Sequence, residues 1–289
     1  MSSADTLATD PDVPVTRYRG AFGRLYLEET RLVLRRRRNQ ALLFVLAVVP
    51  LLIGIAVKLS TPRGGDGPQF LDQVTGNGLF LVFTALTVAL PLFLPLVVGV
   101  VSGDSIAGDA GLGTLRYLLT LPVTRTRCLA SKTLAVASFT AIAVLTVTVV
   151  GLVTGGLLFG LHSVTLLSGD TVSLPDGLLR TALVACYVII ALFGLAAGGV
   201  FVSTLTENAI AAMATTVGLA VFSAVLDAVP QLSGIHHLLL TDHWLGFGEL
   251  LRSTPSAADL VRWTGLHLGY AAIFLSLAYS RFTTKDITS

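Results

Sequence analysis

The stretch GLFLVFTALTVALPLFLPLVVGVV, residues 78–101, decides the fold because it contains no charged side chain. A helix of this length rises about 36 Å at 1.5 Å per residue, enough to cross the roughly 30 Å hydrocarbon layer of a bilayer. The rest of the 289-residue chain has the same bias: 53% of residues are hydrophobic and 12% are charged. A soluble domain carries about 25% charged residues. The sequence therefore predicts an integral membrane protein.

Six apolar runs are long enough to span the bilayer, and lipid requires their backbones to be helical. The predicted fold is an all-α polytopic membrane protein with spans at about 41–59, 78–101, 133–159, 178–203, 209–229 and 263–280. Residues 15–289 are expected to form a single transmembrane domain, and residues 1–14 a disordered N-terminus.

The basic residues predict the orientation. Eight arginines precede the first span, four basic residues follow the second span, and Arg281 and Lys285 follow the last. By the positive-inside rule these segments are cytoplasmic, so both termini are expected inside a cell inner (plasma) membrane. Lys58, Arg63, Arg180, Arg252 and Arg262 remain for the opposite side.

Residues 16–38 predict an amphipathic helix that lies along the inner leaflet. One face carries Tyr18, Phe22, Leu25, Leu32 and Val33. The other carries Arg17, Arg24, Glu28 and Arg31, and the run Arg35–Arg38 would lie at the lipid headgroups. The arginines either enforce the topology alone or also have a mechanical role.

The polar segment between the second and third spans, residues 102–132, contains a predicted short cytoplasmic helix. In GLGTLRYLLTLP, residues 111–122, four leucines share one face and Pro122 ends the helix. These leucines are Leu112, Leu115, Leu118 and Leu119. Such a helix can dock into a groove on a partner protein or lie on the membrane surface.

The same segment resembles a known family at a series of positions. These are Gly103-Asp104, Ala107-Gly108-Asp109, Gly113-Thr114-Leu115, Leu118-Leu119, Pro122, Arg125 and Lys132. The pattern is similar to the cytoplasmic loop of type 2 ATP-binding-cassette (ABC) permeases, the six-helix transmembrane subunits of ABC exporters. The layout with an interfacial N-terminal helix and an external re-entrant segment also resembles that family. Asp109 stands where the family has Glu, and Ala110–Leu112 replaces a charged stretch.

This resemblance implies that the loop is a coupling helix that contacts a separate cytosolic ABC ATPase. The chain would bind no cofactor, ATP and Mg²⁺ being held by the partner, and a second permease copy, identical or related, would complete the transporter. The implied contact residues are Asp104, Asp109, Gly113, Thr114, Leu115, Leu118, Leu119 and Arg125. A pathway lined by aliphatic and hydroxyl side chains favours a hydrophobic or amphiphilic cargo such as a drug, lipid or peptide.

Small residues and prolines predict how the spans pack and bend. Gly151 and Gly155 on the third span, and Gly194 and Gly198 on the fourth, favour close helix contact. Pro91 and Pro95 predict a kink in the second span and Pro50 one in the first. The glycines indicate ordinary packing or a gate.

Other function classes have weaker support in the sequence. No G-x-S-x-G or H-E-x-x-H motif occurs, and GDSIAG at residues 103–108 lacks the Lys and Ser/Thr of a phosphate loop, so no enzyme is predicted. His236, His237, Asp242 and His243 match no standard zinc spacing, and no metal is predicted. A gradient-driven secondary transporter usually carries ionisable residues within its spans, whereas here the deep interior is expected to offer only Ser, Thr, Tyr and Cys. A membrane scaffold or sensor that docks a cytosolic protein is the remaining alternative.

Overall fold

The computed structural model describes residues 21–60, 77–113, 124–165 and 171–284, and these residues are almost entirely helical. The helices are α1 Ala21–Arg35, α2 Arg37–Ser60, α3 Leu79–Ala89, α4 Phe93–Gly111, α5 Arg125–Phe159, α6 Leu174–Leu205, α7 Ala209–Asp227, α8 Ser233–His236 and α9 Ala257–Thr284. Two 3₁₀ segments, Pro230–Leu232 and Trp244–Leu251, lie between α7 and α9. Strands β1 Val164–Thr165 and β2 Thr171–Val172 form a small antiparallel pair in which Val164 faces Val172.

Among these residues six helices are long and apolar enough to cross a membrane: α2, α4, α5, α6, α7 and α9. This confirms the prediction of an all-α polytopic membrane protein. The termini of α2 and α4, with the start of α5, gather at one end of the bundle, which we call the basic end because Arg35–Arg38 lie there. The predicted interfacial helix 16–38 corresponds to α1, in the part that is described, followed by the first turn of α2.

The second predicted span differs most from expectation. Residues 78–101 were predicted as one kinked helix, but the chain breaks at residues 90–92, and α4 then continues to Gly111. Pro91 and Pro95 each lack an N–H group, so two backbone hydrogen bonds one turn apart are missing. Pro50, by contrast, lies inside a continuous α2.

The boundary of the third span is also wrong in the prediction, because α5 begins at Arg125 rather than near residue 133. Thr124 caps α5, its Oγ1 accepting a hydrogen bond from the Arg127 N–H at 3.4 Å. The helices α4 and α5 therefore continue through sequence that hydropathy assigns to a loop. They can do so because the charged side chains on them are paired inside the protein.

Helix α6 lies at the centre of the packing. It contacts α9 along much of its length and also packs on α4, while α4 in turn contacts α7. Helix α5 carries α1, α2 and α3 on its other sides. In the most apolar stretch of each helix, 72% of α6 but only 11% of α9 is buried, so α9 presents most of its surface to the surroundings.

Glycines set the closest helix contacts. A Cβ on Gly155 of α5 would lie 2.7 Å from the Gly78 carbonyl carbon, so the two backbones meet directly. The other predicted glycines, Gly151, Gly194 and Gly198, have neighbours 3.3–3.4 Å from a built Cβ, a tight but ordinary contact. The sequence prediction did not include Gly199, whose Cβ would collide with the Ser102 hydroxyl.

The segment between α7 and α9 folds back between the helices. The Tyr187 hydroxyl on α6 donates a hydrogen bond to the His243 carbonyl at 2.6 Å. Tyr187 lies 13 residues inside α6, about 20 Å from its start. The segment thus enters the bundle as a re-entrant element. His243 has a left-handed backbone with φ of 58°, and its ring stacks on Trp263 with centroids 4.4 Å apart.

The expectation of a span interior with only Ser, Thr, Tyr and Cys as polar groups is wrong. His267 on α9 is 1% exposed, and its ring meets Tyr187 edge-on at 6.3 Å. Lys132 on α5 is 4% exposed. The sequence argument against a gradient-driven transporter therefore loses part of its basis.

Candidate functional site

The residues predicted to contact an ATPase lie at the basic end, on and between α4 and α5. Asp104 and Asp109 belong to α4 rather than to a loop. Gly113 and Arg125 flank residues 114–123 on either side. Thr114, Leu115, Leu118 and Leu119 lie outside the described residues. The predicted contact set is therefore divided between a helix and the turn that follows it.

The end of α4 is fixed by its own capping geometry. Gly113 has φ of 69°, a left-handed conformation that glycine adopts without a Cβ penalty, and its N–H donates to the Ala110 carbonyl at 3.0 Å. Leu112 beside it is 75% exposed. At the start of α5, Arg125 Nη1 donates to the Thr283 carbonyl of α9 at 3.1 Å. The chain between α4 and α5 thus leaves from one defined point and returns at another.

Asp104 accepts charged hydrogen bonds from two arginines. Arg38 Nη2 lies 2.6 Å from its Oδ2, and Arg36 Nη1 donates to the same oxygen. The Asp104 side chain is 9% exposed, whereas the arginine side chains are partly exposed. Asp104 therefore joins α4 to the junction of α1 and α2.

Lys132 forms the second half of this cluster. Its Nζ donates to Glu29 Oε2 of α1 at 3.1 Å and to Asp109 Oδ2 of α4. Arg36 Nη2 lies 3.5 Å from Asp109 Oδ1 and so links the two halves. We call these six residues the ion-paired cluster: Glu29, Arg36, Arg38, Asp104, Asp109 and Lys132.

The ion-paired cluster balances three cations against three carboxylates. Such balance is what allows charges to be buried, because an unpaired ion in a low-dielectric interior costs several kcal/mol. The cluster joins α1, α2, α4 and α5 at one point. A cavity of about 390 Å³ lies beside it, lined also by apolar residues such as Leu32 and Val136.

A hydroxyl from α6 holds α4 next to this cluster. Ser203 Oγ donates to the Gly103 carbonyl at 2.6 Å and accepts from the N–H groups of Ile106 and Ala107 at 2.9 and 2.8 Å. The Ser203 side chain therefore bonds backbone groups on one turn of α4 that flanks Asp104. The turn is tied to the centre of the bundle.

The interfacial helix α1 is anchored to the bundle by side chains rather than left on the surface. The Tyr26 hydroxyl and Ser138 Oγ of α5 lie 2.7 Å apart. Asn39 Nδ2 at the start of α2 donates to the Val33 carbonyl of α1 at 2.8 Å, and Asn39 is 1% exposed. Together with Glu29, these bonds fix α1 against α5.

The sequence analysis missed Glu29 and Ser203 and treated Lys132 only as part of the family pattern. A signal for Glu29 was present, because at 100° per residue it falls on the same face as Phe22, Leu25 and Val33. A carboxylate on an apolar face needs a partner. Ser203 gave no signal, because serine is common in apolar helices.

The chemistry of the ion-paired cluster is structural and electrostatic. Its side chains offer salt bridges and proton-accepting carboxylates. Over the described ranges no group of three or more His, Cys, Asp and Glu is arranged to hold a metal ion. His236 and His243 belong to separate pairs, with Asp227 at 4.0 Å and Asp242 at 2.6 Å, and His237 is exposed.

Comparison with known proteins gives a family but no activity. The sequence pattern of DUF2705, described as a protein of unknown function, matches residues 43–288. The match runs from the first turns of α2 to beyond α9, and so includes the helices of the bundle except α1. A search of the curated proteins finds no match.

Proposed function

We propose that this chain, which belongs to the DUF2705 family, is the transmembrane permease subunit of an ABC transporter. The six spans and the resemblance of residues 103–132 to the coupling loop of type 2 ABC permeases support the proposal. The single observation that carries it is the ion-paired cluster at the base of the α4–α5 hairpin.

The cluster makes the hairpin a route for mechanical force. Breaking one partner out of a buried ion pair costs about 3–5 kcal/mol. A displacement of the loop between Gly113 and Thr124 therefore moves α1, α2, α4 and α5 together instead of bending the loop alone. Ser203 extends this connection to α6 at the centre of the bundle.

In the proposed mechanism a separate cytosolic ATPase binds ATP and Mg²⁺ and closes around the nucleotide. Its closure moves the coupling loops of two permease copies and tilts their helices, so that a pathway opens to the outside. The basic end is cytoplasmic, both termini are inside, and the protein lies in the cell inner (plasma) membrane. The cargo is a hydrophobic or amphiphilic molecule such as a drug, lipid or peptide.

The test is a pull-down from native membranes followed by an ATPase measurement. We expect an ATPase with a G-x-x-x-x-G-K-[ST] motif to copurify in near-equal ratio. The variant carrying both Leu115→Asp and Leu118→Asp should keep the fold and lose at least tenfold of the transport-coupled ATP turnover, because charge on the leucine face prevents docking. Leu238→Asp, an exposed leucine between α8 and α9, is the matched control. Stoichiometric companions without any such ATPase would contradict the proposal.

One observation favours a second candidate, a proton-coupled secondary transporter. Lys132 between Asp109 and Glu29 is a buried ionisable group at the end of the spans, and such groups often carry protons in transporters. Reconstituted vesicles separate the two functions. Transport driven by an imposed proton gradient with no ATPase present supports the second function, and transport only with ATPase and ATP supports the first.

A further inference from the structure

A small cavity lies far from the ion-paired cluster, between the break in the second span and the re-entrant segment. It measures about 290 Å³ and is lined by Leu90 and Pro91, by Ala224, Asp227 and Ala228 of α7 and its end, and by Thr241, His243, Trp244 and Leu245. Pockets that bind small molecules begin at about 300 Å³. The cavity is therefore large enough for the polar head of an amphiphile.

An indole N–H in the wall of this cavity is without a partner. Trp244 is 4% exposed, and its Nε1 has no hydrogen-bond partner among the residues that the structure describes. A buried donor without a partner costs about 1–3 kcal/mol. A ligand with an acceptor oxygen would remove this cost.

The break in the second span supplies further donors at the same place. Helix α4 begins at Phe93, immediately after the cavity residues Leu90 and Pro91, and the N-cap residue Leu92 makes no side-chain capping bond. The first amide groups of a helix have no intrahelical acceptor, and the helix dipole favours negative charge there. The donors of this cavity therefore suit a phosphate or carbonyl oxygen.

The opposite wall carries a carboxylate. The Asp227 side chain is 34% exposed, and its nearest ring partner, His236 Nδ1, is 4.0 Å away. A carboxylate beside an indole face suits an ammonium group through charge and cation–π attraction. The remaining wall of Leu90, Ala224, Ala228 and Leu245 is apolar.

We propose that this cavity binds the head of an amphiphile that combines an acceptor oxygen with a primary ammonium group. The oxygen accepts from the Trp244 indole N–H and the start of α4, and the ammonium group pairs with Asp227. The apolar chain leaves the cavity along the surface of α7, where Val221, Phe222 and Val225 are exposed. The site is independent of the proposed ATP-driven function.

The two tryptophans of the chain, Trp244 and Trp263, allow a direct binding test. In the Trp263→Phe variant the fluorescence of purified full-length protein reports on Trp244 alone. We expect a saturable change with dihexanoyl-phosphatidylethanolamine. Dihexanoyl-phosphatidylglycerol, which lacks the amine, and dodecylamine, which lacks the acceptor oxygen, should bind at least tenfold more weakly. An equal response to all three probes, or no saturable response, would overturn the proposal.

Two further variants test the roles of the walls by calorimetry. Trp244→Phe keeps an aromatic ring and removes the donor, and we expect at least fivefold weaker binding of the phosphatidylethanolamine probe. Asp227→Asn should abolish the preference for the amine without weakening the phosphatidylglycerol probe, and its partly exposed position makes loss of the fold a small risk. Unchanged affinity and preference in both folded variants would refute the site.

The source of the amphiphile is settled by mass spectrometry of the organic extract of protein purified from its own membranes. An amine-bearing membrane lipid, or another amine-bearing amphiphile in its place, is the expected result, and the two are distinguished by mass. An extract in which every stoichiometric amphiphile lacks an amine would contradict the proposal.

Discussion

Lys132 is the residue on which the basic end depends most, because its ammonium group is the only cation placed between Glu29 and Asp109 within the described residues. Replacing it by an apolar side chain leaves two carboxylates buried without that cation. We expect Lys132→Met to lower the free energy of unfolding by about 3 kcal/mol. Thermal or denaturant unfolding of the purified protein in detergent measures this change.

The matched control for Lys132 is an ion pair on the surface of α1. Arg31 Nη1 lies 2.8 Å from Glu28 Oε1, and both side chains are about 65% exposed. Arg31→Met should change the free energy of unfolding by less than about 1 kcal/mol, since exposed pairs are screened by solvent. Adding Glu29→Gln and Asp109→Asn to Lys132→Met should recover part of the loss. Equal losses for Lys132→Met and Arg31→Met would show that burial is not the cause.

Asp242 in the re-entrant segment predicts a dependence of stability on pH. Burial raises the pKa of its carboxyl group, and the His243 Nδ1 at 2.6 Å opposes this shift without cancelling it. Between the unfolded and the folded pKa the folded state binds more protons, so stability falls as the pH rises through that window. Asp242→Asn should therefore unfold at a higher temperature than the parent at pH 7 and at a similar temperature near pH 4.

Thermal unfolding between pH 4 and 8 checks this prediction. A variant less stable than the parent at pH 7 would mean that the Asp242–His243 pair outweighs the cost of burying the carboxylate. The parent curve alone is informative, because its slope gives the direction of proton binding on folding.

At the scale of elements, the contact between α3 and α5 depends on one of two adjacent glycines. A Cβ on Gly155 would enter the Gly78 backbone, whereas a Cβ on Gly156 would meet only the Leu161 side chain at 3.4 Å. We expect Gly155→Ala to separate the helices and destabilise the fold by about 1–3 kcal/mol. Gly156→Ala should be neutral or stabilising by up to about 1 kcal/mol, because alanine is the better helix former.

Unfolding midpoints of the two alanine variants in one detergent provide the measurement. Since the substitutions lie side by side on one helix, their difference isolates the backbone contact with Gly78. Indistinguishable midpoints would mean that α3 can shift away from α5 at no cost.

The six spans were predictable because each apolar run determines its own transfer into lipid, independent of the others. The ends of α4 and α5 were not predictable in this way. Hydropathy falls after Val101, yet α4 continues because Asp104 and Asp109 find cations on α2 and α5. Glu29 and Lys132 are separated by 103 positions in the chain. No local window of sequence contains such a pair.

Prolines show the same limit. Pro50 and Pro91 both lie in apolar runs, but α2 stays continuous and the second span breaks. The difference available in the sequence is Pro95, which removes a second donor four residues after the first. The re-entrant path of residues 230–256 could be suggested from Trp244 and Phe247, but its contact with Tyr187 depends on packing alone.

At the scale of the whole molecule, the proposed orientation predicts which end reacts with reagents outside the cell. In a chain with Cys128→Ser and Cys186→Ser, Gly234→Cys has open space around it and Leu112→Cys replaces an exposed leucine. A membrane-impermeant maleimide should label Gly234→Cys on intact cells. It should label Leu112→Cys only after the membrane is permeabilised. The reverse pattern would invert the protein and remove the loop from any cytosolic ATPase.

Helix α5 is longer than a bilayer requires. Its 35 residues make a rod of about 52 Å, against roughly 30 Å of hydrocarbon. A rod of that length acts as a lever arm: a rotation of about 5° around its far end would carry Arg125 sideways by about 4–5 Å. Spin labels at the two basic tips of a paired assembly would double that displacement, which places even a small tilt within the range of pulsed distance spectroscopy.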